Sequence, residues 1–394
     1  MPNTFQPDER LERSRRLYEA PGSLPMRVPG ESIAEFSIPF SRYLNFQGRA
    51  EAPFPDDLDA PEVLLRFYRT MVRCRVLDQK AVVLQRIGKL GTYASCLGHE
   101  AAGTGAGYAL RKEDVFVPYY RDLAIQLLRG VTMKEILLFW GGDERGSRFG
   151  GAAAQDFPNC IPIATQVTHA AGVATAIRAR RERRAVLTTC GDGATSRGDF
   201  AESLNLAGAW QLPLVVLVVN NGWAISVPLK KQTGAGTLAQ KAVAAEIRGE
   251  QVDGNDVVAV HHAVNRALNE ARRGRGPTLI EAVTYRLADH TTADDATRYR
   301  SGDELREAWE AEPIKRLRTY LHGRGLWDED RERELHEACG REVETAVAEY
   351  LAEEPEPPEA MFDHLHQELP RALKSQRESL LRKNQNSSKE AGHE

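Results

Sequence analysis

The sequence predicts an α/β protein built on a doubly wound, mostly parallel β-sheet flanked by helices. Three short apolar runs have the length of buried strands, and stretches with helical periodicity separate them. The runs are AVLTTC (185–190), LVVLVVNN (214–221) and TLIEAVTY (278–285). In sheets of this class, ligands bind at the carboxyl ends of the strands. We therefore expect a ligand site where these runs end.

The helices are predicted from the spacing of apolar residues. One helix is expected from Pro61 to Gly88, because proline is tolerated in the first turn of a helix. Small and apolar residues on one face predict a second helix at 166–182. A third, at 199–210, connects the first two strands, and a stripe of valines and alanines predicts a fourth at 257–271. This alternation of strand and helix is what indicates the parallel sheet.

The chain is expected to contain one large domain with appendages, because 394 residues is long for one domain and short for three. The Pro-rich residues 1–58 predict an extended N-terminal arm, and the α/β domain spans 59–301. Charged helical sequence predicts a C-terminal helical region at 302–382. The polar residues 383–394 predict a disordered tail.

The composition argues against several classes of function. A net charge of -4 gives no reason to expect nucleic acid or an anionic membrane as a partner. No stretch approaches the roughly 20 apolar residues that span a bilayer. The N-terminal residues lack the apolar segment of a secretory signal, so we expect a soluble, cytoplasmic protein. Five cysteines without a CxxC pair predict buried, reduced thiols, not a zinc knuckle or a disulfide framework.

A Gly-Asp-Gly loop directly follows the first predicted strand, in GDGATSRG. Gly191 and Gly193 let the backbone pass close to a ligand, and the next helix directs free N–H groups toward it. Such a loop favours an anion, yet the carboxylate of Asp192 would repel one. A divalent cation between Asp192 and a phosphate resolves this conflict.

The second predicted strand ends in Asn220-Asn221-Gly222-Trp223, with Asn221 29 residues after Asp192. The amide oxygen of Asn221 and a backbone carbonyl near Trp223 are hard oxygen ligands of the kind that Mg²⁺ prefers. Together with Asp192, two phosphate oxygens and one water, they complete an octahedron. Two neighbouring strand ends would thus hold one Mg²⁺-diphosphate group.

Two other interpretations of the Gly-Asp-Gly loop are less favoured. Alone, the tripeptide is a common turn, but its pairing with the spaced Asn-Asn-Gly, each after a buried strand, indicates a ligand site. Gly191 and Gly193 also match the first two glycines of a dinucleotide-binding fingerprint. However, Ser196 stands at the third glycine position, and the second strand ends in asparagines, not in an acidic residue. NAD is therefore not expected.

The paired motifs resemble the signature of thiamine-diphosphate enzymes, and the sequence around them is similar to the alpha subunits of pyruvate and branched-chain 2-oxo acid dehydrogenases. The resemblance covers roughly residues 30 to 382. It implies the thiamine-diphosphate-binding fold, in its diphosphate-binding half. The stretches that carry it are GDGATSRGDFAESLNLAGAWQLPLVVLVVNNGWAIS (191–226), RVLDQKAVVLQRIGKLGTYASCLGHEA (75–101), VPYYRDLA (117–124), KKQTGAGTLAQKAVA (230–244), QVDGNDVVAV (251–260) and EAVTYRLADHTTADDATRYRS (281–301).

The resemblance implies a ligand set for the metal and the phosphates. The side chains of Asp192 and Asn221 and the carbonyl of Trp223 would bind Mg²⁺. The backbone of Gly193 and Ala194 would hold the phosphates of thiamine diphosphate.

The resemblance also implies roles for residues outside these two loops. Tyr120 and Arg121 form the family's Tyr-Arg pair and would reach the diphosphate, for which the planar guanidinium fork is well suited. The backbone of Ile161 and Ile163 would lie beside the cofactor's rings. His290 matches the histidine of the active-site loop, and it would bind the cofactor and act in catalysis. An imidazole of pKa about 6.5 can donate to a phosphate and shuttle a proton.

Three positions depart from the family pattern. Val219 stands where a basic residue often precedes the two asparagines, so one phosphate contact is missing. Asp289 precedes His290, where the branched-chain enzymes of animals have a second histidine. Thr291 stands at the position of their regulatory serine, so kinase control is not expected.

The activity that the resemblance implies is oxidative decarboxylation of a 2-oxo acid, with transfer of the acyl group to a lipoyl group of the acyltransferase core. The glutamate that activates the cofactor belongs to the beta subunit in this family. A second α/β domain does not fit in this chain, so we expect an α₂β₂ heterotetramer that is inactive without beta subunits.

The substrate is less clearly indicated than the reaction. VPYYRDLA and the KKQT stretch resemble the bacterial pyruvate enzymes, and this favours pyruvate. VDGNDV and HLHQELPRALKSQRESL resemble the branched-chain enzymes, and acetoin dehydrogenase alpha subunits share the signature. A non-catalytic scaffold subunit that binds Mg²⁺-diphosphate is the alternative outside enzymes.

Overall fold

The computed structural model describes residues 35–363 and 365–391, with side chains described as far as residue 383. Residues 1–34 of the predicted N-terminal arm and residues 392–394 of the predicted tail lie outside the described residues. The strands are β1 (Phe40–Ser41), β2 (Val115–Val117), β3 (Val186–Gly191), β4 (Leu214–Asn220), β5 (Trp223–Ala224), β6 (Val227–Pro228), β7 (Arg248–Asp253) and β8 (Thr278–Val283).

Helices alternate with these strands and continue beyond the last one. The α-helices are α1 (Pro61–Arg86), α2 (Glu100–Ala109), α3 (Leu123–Arg129), α4 (Met133–Gly141), α5 (Thr165–Ala179), α6 (Gly198–Ala209), α7 (Leu229–Gln232), α8 (Val257–Arg272), α9 (Gly302–Glu310), α10 (Pro313–Gly323), α11 (Glu329–Leu351) and α12 (Arg371–Ala391). Short 3₁₀ segments lie at Glu144–Ser147, Gly151–Gln155, Asp192–Ser196, Leu238–Ala245, Ala296–Arg298 and Pro358–Phe362. None of the helices described is long and apolar enough to cross a membrane.

Six strands form one sheet in the order β1-β7-β8-β4-β3-β2, and all its neighbouring pairs are parallel. β5 and β6 form a separate antiparallel pair. β4 lies inside the sheet, and all its residues are buried. Its alternate residues enter two different cores, one with α5 and α6 and the other with α2 and α8. Helices therefore cover both faces, as a parallel sheet requires.

The predicted fold class is confirmed, and the three predicted strands correspond to β3, β4 and β8. The sequence did not reveal the other three strands of the sheet. β1 has two residues and β2 has three, which is too short for a periodic pattern. β7 reads RGEQVD and is polar over most of its length, and its buried Glu250 and Asp253 pair with Arg266 and Arg316.

The C-terminal helices are packed onto the first helix of the chain. Leu317 of α10 and Cys339 of α11 share a core with α1, and Val343 joins a second core beside it. The last helix, α12, reaches Ala391 and so includes most of the segment 383–394 that was predicted to be disordered. That segment has neither proline nor glycine before residue 392, so its sequence holds no helix-ending residue there.

The described part of the N-terminal arm is attached to α8 through one buried carboxylate. Asp256 caps α8 by accepting hydrogen bonds from the backbone of Val258 and Ala259. Its other oxygen accepts from the backbone N–H groups of Tyr43 and Leu44, both at 2.7 Å. The same side chain therefore caps a helix of the sheet's outer layer and fixes residues that follow β1.

Candidate cofactor site

Four neighbouring strands, β8, β4, β3 and β2, deliver their carboxyl ends to one cavity of about 200 Å³. In parallel sheets this edge is where ligands bind. Each strand contributes residues that follow it in the chain. The cavity is lined by Tyr119, Tyr120, Arg121, Cys160, Ile163, Ala164, Gln166, Gly191, Asp192, Gly193, Ala194, Asn221, Trp223, Ala224, Ile225 and His290.

Asp192 lies at the end of β3, and its side chain is only 1% exposed. Burial raises the pKa of this carboxyl, because water no longer stabilises the charged form. The donors that oppose this effect are neutral: Nε2 of Gln232 at 2.6 Å and the backbone N–H groups of Asp192 and Asn221. The charge of Arg286 contributes less. A cation at this point would stabilise the carboxylate far more than these donors do.

The two asparagines at the end of β4 have different surroundings. Asn220 donates through Nδ2 to Glu281 at 2.7 Å and accepts from the backbone of Gly222, so its amide is used within the fold. Asn221 lines the cavity, and its Oδ1 accepts from the backbone N–H of Trp223 at 3.1 Å. Gly222 has φ +83°, which allows a sharp turn directly after them.

The loop after β3 packs directly against β5. A Cβ atom at Gly193 would lie 2.7 Å from Cβ of Ala224, so only glycine fits without movement. Two other lining residues, Ala164 and Ile225, have positive φ values of 71° and 56°. Positive φ values strain the backbone of residues other than glycine, and such strained residues cluster at functional sites. The cavity wall is therefore shaped by its backbone.

Arg121 and His290 lie together on the wall formed by the segments after β2 and β8. Nη2 of Arg121 is 3.0 Å from Nδ1 of His290 and also donates to the His290 carbonyl. The ring of Tyr120 meets the imidazole edge-on, with 6.3 Å between ring centroids. An isolated bridge between Tyr119 and Cys160 brings the segment after β2 beside the loop that contains Ile163.

His290 differs from the expectation of an imidazole with an ordinary pKa. Burial lowers its pKa to about 4, and the nearby charges of Arg121 and Arg286 act in the same direction. Asp294 opposes them, and it also accepts a hydrogen bond from the His290 backbone N–H at 2.9 Å. The ring is therefore neutral at pH 7, and it is suited to donating a hydrogen bond rather than to carrying a second proton.

Arg286 has 0% exposure and connects the segment after β4 to His290. Its guanidinium donates to the carbonyl oxygens of Trp223 at 3.4 Å and Ile225 at 2.8 Å. It also donates to the hydroxyl of Tyr299 at 2.8 Å and lies 3.3 Å from Nδ1 of His290. The segments after β4 and β8 are thus held together by one side chain.

Most of the residues predicted from the sequence lie at this cavity. The exception is Ile161, which is 51% exposed and outside the lining, whereas Ile163 two residues later is part of it. Sequence reasoning missed Gln166, Gln232 and Arg286. Gln232 and Arg286 stand in stretches that resemble the family and Gln166 lies between two such stretches, but no short motif marks any of them. Their positions depend on the tertiary fold.

The oxygen atoms at this cavity are of the type that binds Mg²⁺ together with a diphosphate group. The described residues contain no cluster of three or more histidines, cysteines and acids that would hold a metal ion on its own. The site offers one carboxylate, one amide oxygen and one backbone carbonyl, all hard oxygens, so a ligand such as a diphosphate must supply the rest. Buried Oε1 of Gln166 is also without a partner among the described residues. The arrangement fits a polar, phosphate-bearing cofactor with its metal ion.

Comparisons with known proteins identify the family. The model of the dehydrogenase E1 component family matches residues 68–359. The chain is 41% identical over 325 residues to the pyruvate dehydrogenase E1 component subunit alpha of Staphylococcus aureus. The aligned residues make up 82% of this chain and 87% of that protein. The corresponding protein of Staphylococcus epidermidis is 40% identical, with the same coverage of both chains. The chain belongs to the dehydrogenase E1 component family, as an alpha subunit of the thiamine-diphosphate-dependent 2-oxo acid dehydrogenases.

Proposed function

We propose that this chain is the alpha subunit of a pyruvate dehydrogenase that decarboxylates pyruvate oxidatively and transfers the acetyl group to a lipoyl group of an acyltransferase core. The relatives named above support pyruvate as the substrate. The structural observation that carries the proposal is the cavity where Asp192 and Asn221 face the wall of Arg121 and His290. It combines a metal-binding side with a phosphate-binding side.

Mg²⁺ would be held by the carboxylate of Asp192, the amide oxygen of Asn221 and the carbonyl of Trp223. The burial of Asp192 among neutral donors supports this assignment, because its carboxylate gains most from a cation. Backbone N–H groups at Gly193 and Ala194 would bind the phosphates.

Thiamine diphosphate, when bound, supplies the electron sink that allows a 2-oxo acid to lose CO₂. The chain's own residues bind and orient it. Tyr120 and Arg121 would contact the diphosphate from the wall opposite Asp192. Ile163 lines the cavity, and its backbone would lie beside the cofactor's rings, whereas Ile161 is exposed and outside the lining.

His290 would donate a hydrogen bond from Nε2 to a phosphate or substrate oxygen. Its lowered pKa keeps the imidazole neutral, and its Nδ1 is already directed at two guanidinium groups. We therefore assign the ring a donor role in binding and catalysis, in place of the proton shuttle that an ordinary pKa would favour.

A beta subunit would complete the site. Asp192 is the one acidic residue among those that line the cavity in the described part of the chain, and its position suits the metal. The carboxylate that activates the cofactor's pyrimidine ring must then come from another chain. This supports an α₂β₂ heterotetramer that presents the acyl group to the lipoyl domain of the acyltransferase core.

Assays that follow reduction of an artificial electron acceptor, with and without the candidate beta chain, test the proposal. With both chains, Mg²⁺, thiamine diphosphate and an artificial electron acceptor, pyruvate should be consumed faster than 3-methyl-2-oxobutanoate or acetoin. Neither chain alone should be active. A preference for 3-methyl-2-oxobutanoate or for acetoin would replace pyruvate with that substrate. No turnover of any of the three, despite cofactor binding, would favour a non-catalytic scaffold subunit.

A further inference from the structure

Gln232 is the side chain that holds the carboxylate of Asp192. It is the last residue of the short helix α7, and its Nε2 lies 2.6 Å from Oδ2 of Asp192. The same nitrogen donates to the carbonyl of Val227 at 3.0 Å. Both hydrogens of the amide are thereby used, so the orientation of the side chain is fixed by two acceptors.

The carbonyl oxygen of the same amide is a buried acceptor without a hydrogen-bond donor. Oε1 of Gln232 is shielded from solvent and has no hydrogen-bond partner among the described residues. It lies about 4.0 Å from the point that a Cβ atom at Gly193 would occupy. A buried carbonyl oxygen without a donor is unfavourable, and native structures nearly always satisfy such groups. Its donor is therefore expected to enter with the ligand.

We propose that Gln232 is a positioning residue for the Mg²⁺ site: its amide nitrogen fixes the carboxylate of Asp192, and its carbonyl oxygen accepts a hydrogen bond from a water molecule bound to the cation. This rests on the proposed function. A metal-bound water is an obligate donor, and Mg²⁺ in proteins keeps water ligands beside carboxylates and phosphates. Partners of metal ligands orient those ligands, and their loss costs metal affinity.

The test replaces Gln232 with leucine, which has a similar volume but neither donor nor acceptor, in the complex of alpha and beta chains. Intrinsic tryptophan fluorescence follows binding, because Trp223 lines the cavity. Mg²⁺ is titrated at saturating thiamine diphosphate, and thiamine diphosphate is then titrated at saturating Mg²⁺. We expect Gln232→Leu to raise the Mg²⁺ concentration for half-saturation about 10- to 100-fold. The affinity for thiamine diphosphate at saturating Mg²⁺ should change less than about twofold.

Two further variants separate positioning from general damage. Lys231→Ala changes the exposed neighbour in the same helix and should leave both titrations as in the wild type. Gln232→Asn keeps the amide but is one methylene shorter, so it cannot reach both acceptors and should behave like the leucine variant. An unchanged Mg²⁺ titration in Gln232→Leu overturns the assignment, and so does an equal loss in both titrations. Absence of Mg²⁺-dependent binding in the wild type would instead refute the proposed function.

Discussion

Nη2 of Arg121 lies 3.0 Å from Nδ1 of His290, although 169 residues separate the two in the chain. Nη1 of Arg286 approaches the same nitrogen at 3.3 Å. A guanidinium has only donors, so Nδ1 must be the acceptor. The single proton of the neutral ring then lies on Nε2. The fold therefore selects one tautomer of His290 and presents it as a hydrogen-bond donor.

His290 should remain neutral until the pH falls to about 4. Burial and two guanidinium charges disfavour the imidazolium, and Asp294 only partly offsets them. Histidine-selective ¹⁵N NMR of the cofactor-free complex, with His290→Asn to assign the signal, should show the Nε2–H tautomer at pH 7. A ring that titrates near pH 6.5 would contradict the site's electrostatics.

The lowered pKa of His290 also predicts how the stability of the protein depends on pH. Between pH about 6.5 and about 4 the unfolded state binds a proton at His290, and the folded state does not. The contribution of His290 to stability is thus fully present above pH about 6.5 and declines as the pH falls toward 4. The thermal midpoint of His290→Asn should fall less steeply over this range than that of the wild type.

The proximity of the two proposed metal ligands, Asp192 and Asn221, could be predicted from the sequence because both residues lie at strand ends. Asp192 directly follows β3 and Asn221 directly follows β4, and the apolar runs that precede them are readable as strands. Parallel neighbours in a sheet place their carboxyl ends together, so chain order alone brings these two residues close.

The remainder of the site depends on tertiary contacts that carry no local signal. Gln232 in α7 and Arg286 after β8 contact Asp192 and Trp223, which line the cavity, and neither stands in a motif with a fixed spacing. The pKa of His290 follows from burial and from Arg121, which lies 169 residues earlier in the chain. Periodicity and composition do not encode such distances.

Asp192→Asn should abolish Mg²⁺-dependent binding of thiamine diphosphate without loss of the fold. The carboxylate is the charged ligand of the proposed set, so affinity should fall more than about 100-fold, beyond the loss usual for a partner of a ligand. The cofactor-free thermal midpoint should change little, because removal of a buried charge offsets the loss of one acceptor oxygen for the neighbouring N–H donors. Calorimetric titration and a thermal scan measure the two effects.

The matched control for this change is Asp199→Asn. Asp199 is a partly exposed aspartate in the first turn of α6, seven residues along the chain. It should leave cofactor binding as in the wild type. Cofactor affinity in Asp192→Asn within about twofold of the wild type would remove Asp192 from the ligand set.

Gly193→Ala should weaken cofactor binding through crowding, and a second substitution should relieve it. The added methyl group would lie 2.7 Å from Cβ of Ala224, so the loop or β5 must move. Overpacking of this kind costs about 1–3 kcal/mol. The affinity for Mg²⁺-thiamine diphosphate should fall about tenfold or more, which corresponds to about 1.4 kcal/mol. The measurement is a cofactor titration.

Ala224→Gly removes the atom that causes the clash. The double variant Gly193→Ala/Ala224→Gly should therefore bind the cofactor more tightly than Gly193→Ala alone, which is a positive coupling between contacting residues. Gly198→Ala is the control, because the nearest atom to its added methyl group is the end of a flexible glutamate side chain at 3.7 Å. Independent effects of the two substitutions on cofactor affinity would show that this contact does not shape the loop after β3.

Cys160 should become protected from thiol reagents when the cofactor binds. It is the only partly exposed cysteine of the five, and it lines the cavity beside Ile163. A ligand that fills the cavity covers its sulfur, whereas the other four thiols are already buried. Alkylation with iodoacetamide, quantified on the Cys160 peptide by mass spectrometry, should slow when Mg²⁺ and thiamine diphosphate are both present. Chelation of Mg²⁺ with EDTA should restore the original rate, because in the proposed site the cation would link the diphosphate to Asp192 and Asn221. Equal labelling rates with and without the cofactor, in a complex that binds it by calorimetry, would place the cofactor elsewhere.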